Sequence, residues 1–201
     1  LAAALEADRC DIYTDVDGIY TADPRIVAKA RKLHKITYEE MLEMASQGTR
    51  VLNTRSVELA MNYAVRVQVL SSFSDAEGTL VVGEDEIVEK SVVSGIAYSK
   101  DEAKITLIRV ADRPGVAAAI FGPLSEASVN VDMIVQNVSE DGRATDLTFT
   151  VAKGDFERAR EIVESRRDEL GFERLVADSA VAKISVIGVG MRSHAGVAQQ
   201  M

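Results

Sequence analysis

The chain has 201 residues, 47% of them apolar and 27% charged, with a formal net charge of −9. That length allows one large domain or two small ones with a real core, and the acidic balance argues against a nucleic-acid or anionic-membrane surface, both of which draw Lys- and Arg-rich patches. No run approaches the roughly 18 apolar residues of a membrane span. Cys10 is the only cysteine, so no internal disulfide can form, which suits a reducing compartment and leads us to expect the cytoplasm.

The opening "LAAALEAD" reads as the tail of a helix, and the last residues read as the start of another. We therefore expect an internal piece of a longer protein. "DIYT" (Asp11–Thr14) reads as a short strand, followed by a long loop through "DVDGIYTADPR". Thr37 and Glu40 have capping-box spacing, and Tyr38, Met41, Leu42 and Ala45 keep helical spacing until Gly48 supplies a stop. Val57, Ala60, Met61 and Ala64 share one face of a second helix. "VRVQVLSS" (Val65–Ser72) alternates as a strand, and "DAEGTLV" (Asp75–Val81) adds a turn and a short strand. Acidic "GEDEIVEK" (Gly83–Lys90) is a linker candidate, so we place a domain boundary near Glu84.

Beyond it, "VVSGIAY" (Val92–Tyr98) and the apolar "KITLIRV" (Lys104–Val110) read as two strands, the second central in a sheet. "DRPG" (Asp112–Gly115) turns into a helix with Val116, Ile120, Leu124 and Ala127 on its apolar face. Pro123 removes a backbone donor there and crowds the preceding turn, so a kink or early stop is predicted near Phe121. Strand "VNVDMIVQ" (Val129–Gln136), turn "SEDG" (Ser139–Gly142) and strand "TDLTFTV" (Thr145–Val151) follow. A helix carrying Phe156, Ala159, Ile162 and Val163 and a strand "FERLVAD" (Phe172–Asp178) complete a βαββαβ order, hence an antiparallel sheet with two helices on one face. "ITLIRVADRPGVA" (Ile105–Ala117) matches "ISVIGVGMRSHAGVA" (Ile184–Ala198) with two extra residues in the second turn. A second copy of the unit would thus begin at about Val181 and be cut off.

Two stretches carry candidate chemistry. "CDIYTDVDGIYTADPR" (Cys10–Arg25) packs four aspartates, two tyrosines, a glycine and a proline into one segment. Thr14 and Asp15 fall at the carboxyl edge of a sheet, where α/β proteins bind ligands. Tyr20 offers a ring face to a base, and Arg25 a fork of donors suited to phosphate. The same residues also fit a plain surface turn. At "DRPG", a helix N-terminus can hold a carboxylate, Pro114 presets φ at a first helical position, and Asp112 can accept an ammonium. Asn130, Asp132 and Gln136 share one face of the next strand by the period of two. That set can meet both charges of a zwitterionic amino acid, or it can be simple helix capping with Asp132 solvated. With no Cys/His cluster, a structural zinc site is not expected.

"TDVDGIYTADPR", "EEMLEMASQGTRVL" and "RSVELA" closely resemble the aspartate kinases of the amino-acid kinase superfamily. "RPGVAAAIF", "VNVDMIVQNVSEDG" and "TDLTFTV" resemble the ligand-binding ACT domains attached to them. The resemblance covers essentially the whole chain. It implies an α/β fold, α+β in the regulatory part: the edge of a kinase domain (1–83), a linker and a strand of a second ACT unit (84–102), a ferredoxin-like βαββαβ ACT domain (103–178) and a truncated second ACT domain (179–201).

By that resemblance Thr14 and Asp15 contact the adenine and ribose end of ATP, Tyr20 packs in the nucleotide pocket, and Arg25 lies toward the phosphates. Arg50 and Val51 belong to the same pocket, with Arg50 in "GTRVL" where the family usually has the lysine of "GAKVL". Asp17 and Asp23 are read as turn-formers. The implied reaction is transfer of the γ-phosphoryl of ATP, with Mg²⁺ on the phosphates, to the side-chain carboxylate of L-aspartate. The family's phosphate-cradling and aspartate-binding groups are expected upstream of Leu1, so this stretch would hold no catalytic residue and would not turn over alone. Effector contacts implied for lysine, threonine or both are Asp112, Arg113, Pro114, Gly115, Val116, Ala117, Asn130, Val131, Asp132, Gln136, Arg192 and Ser193. ACT units pair into homo- or hetero-oligomers. A non-catalytic regulatory subunit is the alternative, but a pure sensor would not need "TDVDGIYTADPR". A kinase acting on glutamate is a weaker rival, since such enzymes lack this pair of ACT units.

Overall fold

The computed structural model describes residues 1–87, 92–111, 113–138, 144–188 and 199. It forms two compact units, one of residues 1–98 with 184–201 and one of residues 99–183.

The first unit begins with a single 3-10 turn, Ala3–Leu5. Its sheet has the order β1-β3-β4-β2, with β1 Arg9–Thr14, β2 Lys35–Thr37, β3 Arg66–Ser71 and β4 Thr79–Val82. β1 runs parallel to β3, β3 antiparallel to β4, and β4 parallel to β2. Three-residue β2 is too short to show alternation, which is why it reads as no more than the lead-in to a helix. That helix, α1 (Tyr38–Ser46), starts with the predicted capping box: Thr37 Oγ1 accepts from Glu40 N, and the Glu40 carboxylate accepts from Thr37 N. Asn53 caps α2 (Thr54–Asn62). Ala64 lies past the end of α2 with φ 50° and so leaves the predicted face. Met41, Met44, Val57 and Ala60 bury against Ile19, Ile36, Val67, Val69 and Val81.

The second unit has the sheet order β6-β7-β5-β8. Its strands are β5 (Gly95–Ala111), β6 (Val131–Val138), β7 (Ala144–Val151) and β8 (Arg174–Ile187). Helices α3 (Val116–Glu126), α4 (Phe156–Glu164) and α5 (Arg167–Leu170) supply its helical layer. With β6–β7 and β5–β7 antiparallel, this is the ferredoxin-like βαββαβ arrangement. Its core joins Ile105, Leu107, Leu147, Phe149 and Val151 to Val116, Ile120, Leu124, Ala159 and Val163. The Phe121 and Phe149 rings meet edge to face at 5.5 Å.

Three expectations are corrected. The strands read at Val92–Tyr98 and Lys104–Val110 are one, β5. Its polar middle stays in the sheet because Glu102, 8% exposed, is paired there, and no Gly or Pro interrupts it. The strand read as ending at Asp178 likewise runs on to Ile187 as β8. Finally, α3 does not stop near Phe121 but continues through Pro123 to Glu126. The residue before a proline is driven out of the helical region by its own Cβ and N–H, and Gly122 has no Cβ. Burial of Ile120 and Leu124 on either side holds the helix together.

Truncating the centre of the second core, Phe149→Ala, will cost about 3–5 kcal/mol, read as a lowered midpoint in chemical denaturation.

Candidate functional site

The Asp-rich loop of 15–34 is folded back on itself and pinned to β4. Thr79, fully buried, accepts from Ile19 N at 2.8 Å and donates to Leu33 O at 2.6 Å. Leu33 N donates to Ile19 O at 2.8 Å and Thr21 N to Arg31 O at 2.9 Å, closing a narrow ribbon. Gly18 is required here: its φ is 145°, and a Cβ would sit 2.6 Å from Thr79 Oγ1. Nothing local marks Thr79, which lies 60 residues from Ile19, so the residue that shapes the loop is invisible to motif reading.

Within the loop the charges pair internally. Asp17 accepts from Tyr20 Oη at 2.9 Å and from Lys32 Nζ at 3.3 Å. Burial pushes its carboxyl up, but those two partners outweigh it and hold it below the usual range. The same bond raises the Tyr20 phenol. Asp23 takes Arg25 in a fork of 3.0 and 2.8 Å and also accepts from Arg25 N, so its carboxyl is lowered by that guanidinium and backbone N–H. Arg25 is therefore exposed yet already committed to a carboxylate. Thr14 donates to Asp15 at 3.0 Å at the end of β1. Arg50 opens with Ala45, Thr49, Leu52, Asn53 and Thr54 onto a hollow of ≈ 290 Å³ at the start of α2. Val51 instead packs against the core.

In the second unit, Asp112, Arg192 and Ser193 lie outside the described residues, as does the predicted turn 139–142. Gly115 is the N-cap of α3 with φ 87°, and among the described residues no atom beyond its chain neighbours lies within 4 Å of where its Cβ would be. It serves the turn's conformation rather than a crowded approach. Pro114 thus stands before the cap, not at the first helical position as expected. Arg113 donates to Glu169 O and ties the turn to α5. Val116 points into the core and its N–H bonds Arg113 O at 3.3 Å, so its side chain faces no ligand; Ala117 is exposed.

The shared face of Asn130, Asp132 and Gln136 is also corrected. Asn130 precedes β6, and the strand carries a bulge: Val131 faces Val151, whereas Ile134 faces Phe149. One extra residue reverses the alternation. Gln136, in register with Leu147, lies on the helix side, and Asp132 lies on the other. There Met133 N donates to Thr150 Oγ1 at 3.2 Å, and Asp132 bonds Lys183 of β8. Lys183 also pairs with Glu102 at 3.3 Å. Burial pulls the Lys183 ammonium down, but the two carboxylates more than compensate and raise it. Lys183 and Glu102 escaped the sequence reading because their link to Asp132 crosses the sheet.

Among the described residues no group of three or more His, Cys, Asp and Glu side chains is placed to hold a metal ion, and no helix is long and apolar enough to cross a membrane.

Sequence profiles agree with this division. Residues 1–71 match the Amino acid kinase family and residues 104–170 match the ACT domain. The chain is 54% identical, over its whole length, to an aspartate kinase of Pseudomonas putida, of which it covers 49%; it spans about half the length of the curated relatives it matches. Among solved structures, E. coli aspartokinase III in complex with aspartate and ADP superposes with a TM-score of 0.78 at 28% identity, over 99% of this chain and 44% of that one. The same enzyme in complex with lysine and aspartate gives 0.73 at 29%, over 93% and 41%. The regulatory subunit of aspartate kinase from Thermus flavus gives 0.51 at 37% identity, over 55% of this chain and 72% of that one. A kinase-type loop and sheet followed in the same chain by a ferredoxin-like unit, with relatives of this identity, establish that the chain belongs to the aspartate kinase family.

Proposed function

We propose that this chain is the nucleotide-wall and sensor portion of an aspartate kinase that transfers the γ-phosphoryl group of ATP to the side-chain carboxylate of L-aspartate. A carboxylate oxygen attacks the γ-phosphorus, ADP leaves, and 4-phospho-L-aspartate forms. This is the first step toward lysine, threonine and methionine, carried out in the cytoplasm. The observation that carries the reading is the coexistence of an intact, Thr79-anchored "TDVDGIYTADPR" loop with a βαββαβ unit in one chain. A purely regulatory subunit has no use for the loop.

In this reading Thr14 and Asp15 at the tip of β1 meet the adenine and ribose, and Tyr20, held by Asp17, lines the pocket. Arg25 exchanges Asp23 for a phosphate oxygen. Arg50 reaches the nucleotide from the hollow at the start of α2, where an N-terminal helix end favours anions. Mg²⁺ carried on the phosphates supplies charge neutralisation. The described residues gather no ligand set of their own for it, so no step is assigned to a protein-held ion.

The ACT unit takes lysine, threonine or both as feedback inhibitors. Asp112, the backbone of Arg113–Ala117 and Asp132 serve as the contacts, with Asn130, Val131 and Gln136 at the margin. Arg192 and Ser193 contribute from a second ACT unit. Support for that second unit comes from the repeat of "ITLIRVADRPGVA" (Ile105–Ala117) in "ISVIGVGMRSHAGVA" (Ile184–Ala198). The sheet edge at β6, with Met133, Ile134, Val135 and Val138 exposed, suits pairing of ACT units between chains.

The whole enzyme will consume ATP in the presence of aspartate and slow when lysine and threonine are added, singly or jointly. Activity on glutamate but not aspartate overturns the substrate, and indifference to both additives overturns the effectors. Arg50→Ala will raise the KM for ATP by roughly tenfold, the loss of about one charged hydrogen bond, and Arg50→Lys will restore most of it. Thr79→Val leaves Ile19 N–H unpaired at a cost of about 1–3 kcal/mol; the KM for ATP rises with the fall in melting temperature, whereas Thr79→Ser keeps both near the parent values.

A further inference from the structure

We propose that Lys183 is a built-in occupant of the effector site. Its ammonium holds the Asp132 carboxylate until the ammonium of a bound amino acid takes its place. This rests on the reading that Asp132 belongs to the effector site.

Three observations carry it. The first is position. Val131 of β6 pairs with core-facing Val151, so Asp132 next to it points away from the helices and toward the face where Glu102 and Thr150 lie, and Lys183 reaches it there from β8. An amino acid that presents its ammonium to Asp132 therefore meets a cation already in place.

The second is the unequal burial of the two carboxylates that Lys183 serves. The Glu102 side chain is 10% exposed and that of Asp132 55%, while Lys183 itself is 15% exposed. A solute reaches Asp132 without uncovering Glu102. When it does, Lys183 keeps Glu102 at 3.3 Å, so the exchange strands no buried charge, the event that makes breaking an ion pair costly. Lys183 thus has an inner partner that it retains and an outer partner that it can release.

The third is charge. Two carboxylates and one ammonium leave the cluster with one negative charge in excess. A second ammonium brings it to neutrality; a ligand lacking one does not. The ligand class this selects is an amine or a zwitterionic amino acid with its cationic end at Asp132.

The exchange also has a mechanical consequence inside this unit. β6 and β8 are the outer strands of the sheet, and the Lys183–Asp132 bond links them across it. An effector that claims Asp132 removes that link, freeing the exposed strand β6 from β8.

The test is calorimetric titration of the whole enzyme with L-lysine and, separately, L-threonine. Lys183→Met removes the competitor and will tighten effector binding by about fivefold, the worth of one partly exposed ion pair. Lys183→Arg keeps a cation in place and will stay near the parent value. Glu102→Gln combined with Lys183→Met guards against misfolding from a stranded Glu102, and it too will bind more tightly. Asp132→Asn will weaken binding. Structural damage loosens sites, so a gain in affinity with rescue by Arg is not what a mere crosslink would give. If Asp132→Asn weakens binding while both Met variants bind no more tightly than the parent, the proposal fails and the effector-site reading stands. If Asp132→Asn changes nothing, or neither amino acid binds the parent enzyme, the underlying reading fails and the proposal with it.

Discussion

A β-strand presents alternate residues to opposite faces, and in the second unit everything depends on where that rhythm is broken. β7 keeps it, burying Leu147, Phe149 and Val151. Each of its neighbours inserts one extra residue, β5 between Leu107 and Val110 and β6 between Val131 and Ile134. The β5 irregularity places Arg109 at φ 56° with its N–H on Asp146, just ahead of the turn into α3. The β6 irregularity moves Gln136 off the face that Asp132 holds. Had the strand kept its period from Val131, Gln136 would share the face of Asp132, Lys183 and Glu102 instead of lying on the helix side.

The first unit solves a different problem, a long polar loop that must hold one shape. Apart from Ile19 and Leu33, which pack into the core, such a loop has few apolar contacts to order it, so much of its definition comes from hydrogen bonds to something rigid. Here that is the Thr79 hydroxyl on β4, which uses its donor and an acceptor on opposite arms of the loop. Gly18 is the complement of that hydroxyl: the space where its side chain would be is the space the hydroxyl fills.

Both candidate sites share an electrostatic arrangement. Arg25 is paired with Asp23, and Lys183 with Asp132, so a charged group assigned to a ligand already has an internal partner. Such pairing keeps a ligand-free site from displaying an unmatched charge, and binding becomes an exchange of partners. The two differ in cover. Arg25 is largely exposed, so its pair is screened and weak; Lys183 is largely buried and retains a second carboxylate.

The sequence alone determined what depends on short-range chemistry. The capping box at Thr37 and Glu40, the βαββαβ order, the central place of Ile105–Val110 and the membership in a kinase family with an attached sensor were all legible, because propensity, spacing and motif are local. Only the tertiary structure decided which neighbouring strands are continuous, that Gly122 lets α3 pass through Pro123, that a bulge puts Gln136 and Asp132 on opposite faces, and that Thr79, Lys183 and Glu102 matter at all. The physical reason is distance along the chain. A hydrogen bond or an ion pair is made between groups that folding brings together, and no local pattern records a partner some fifty to sixty residues away.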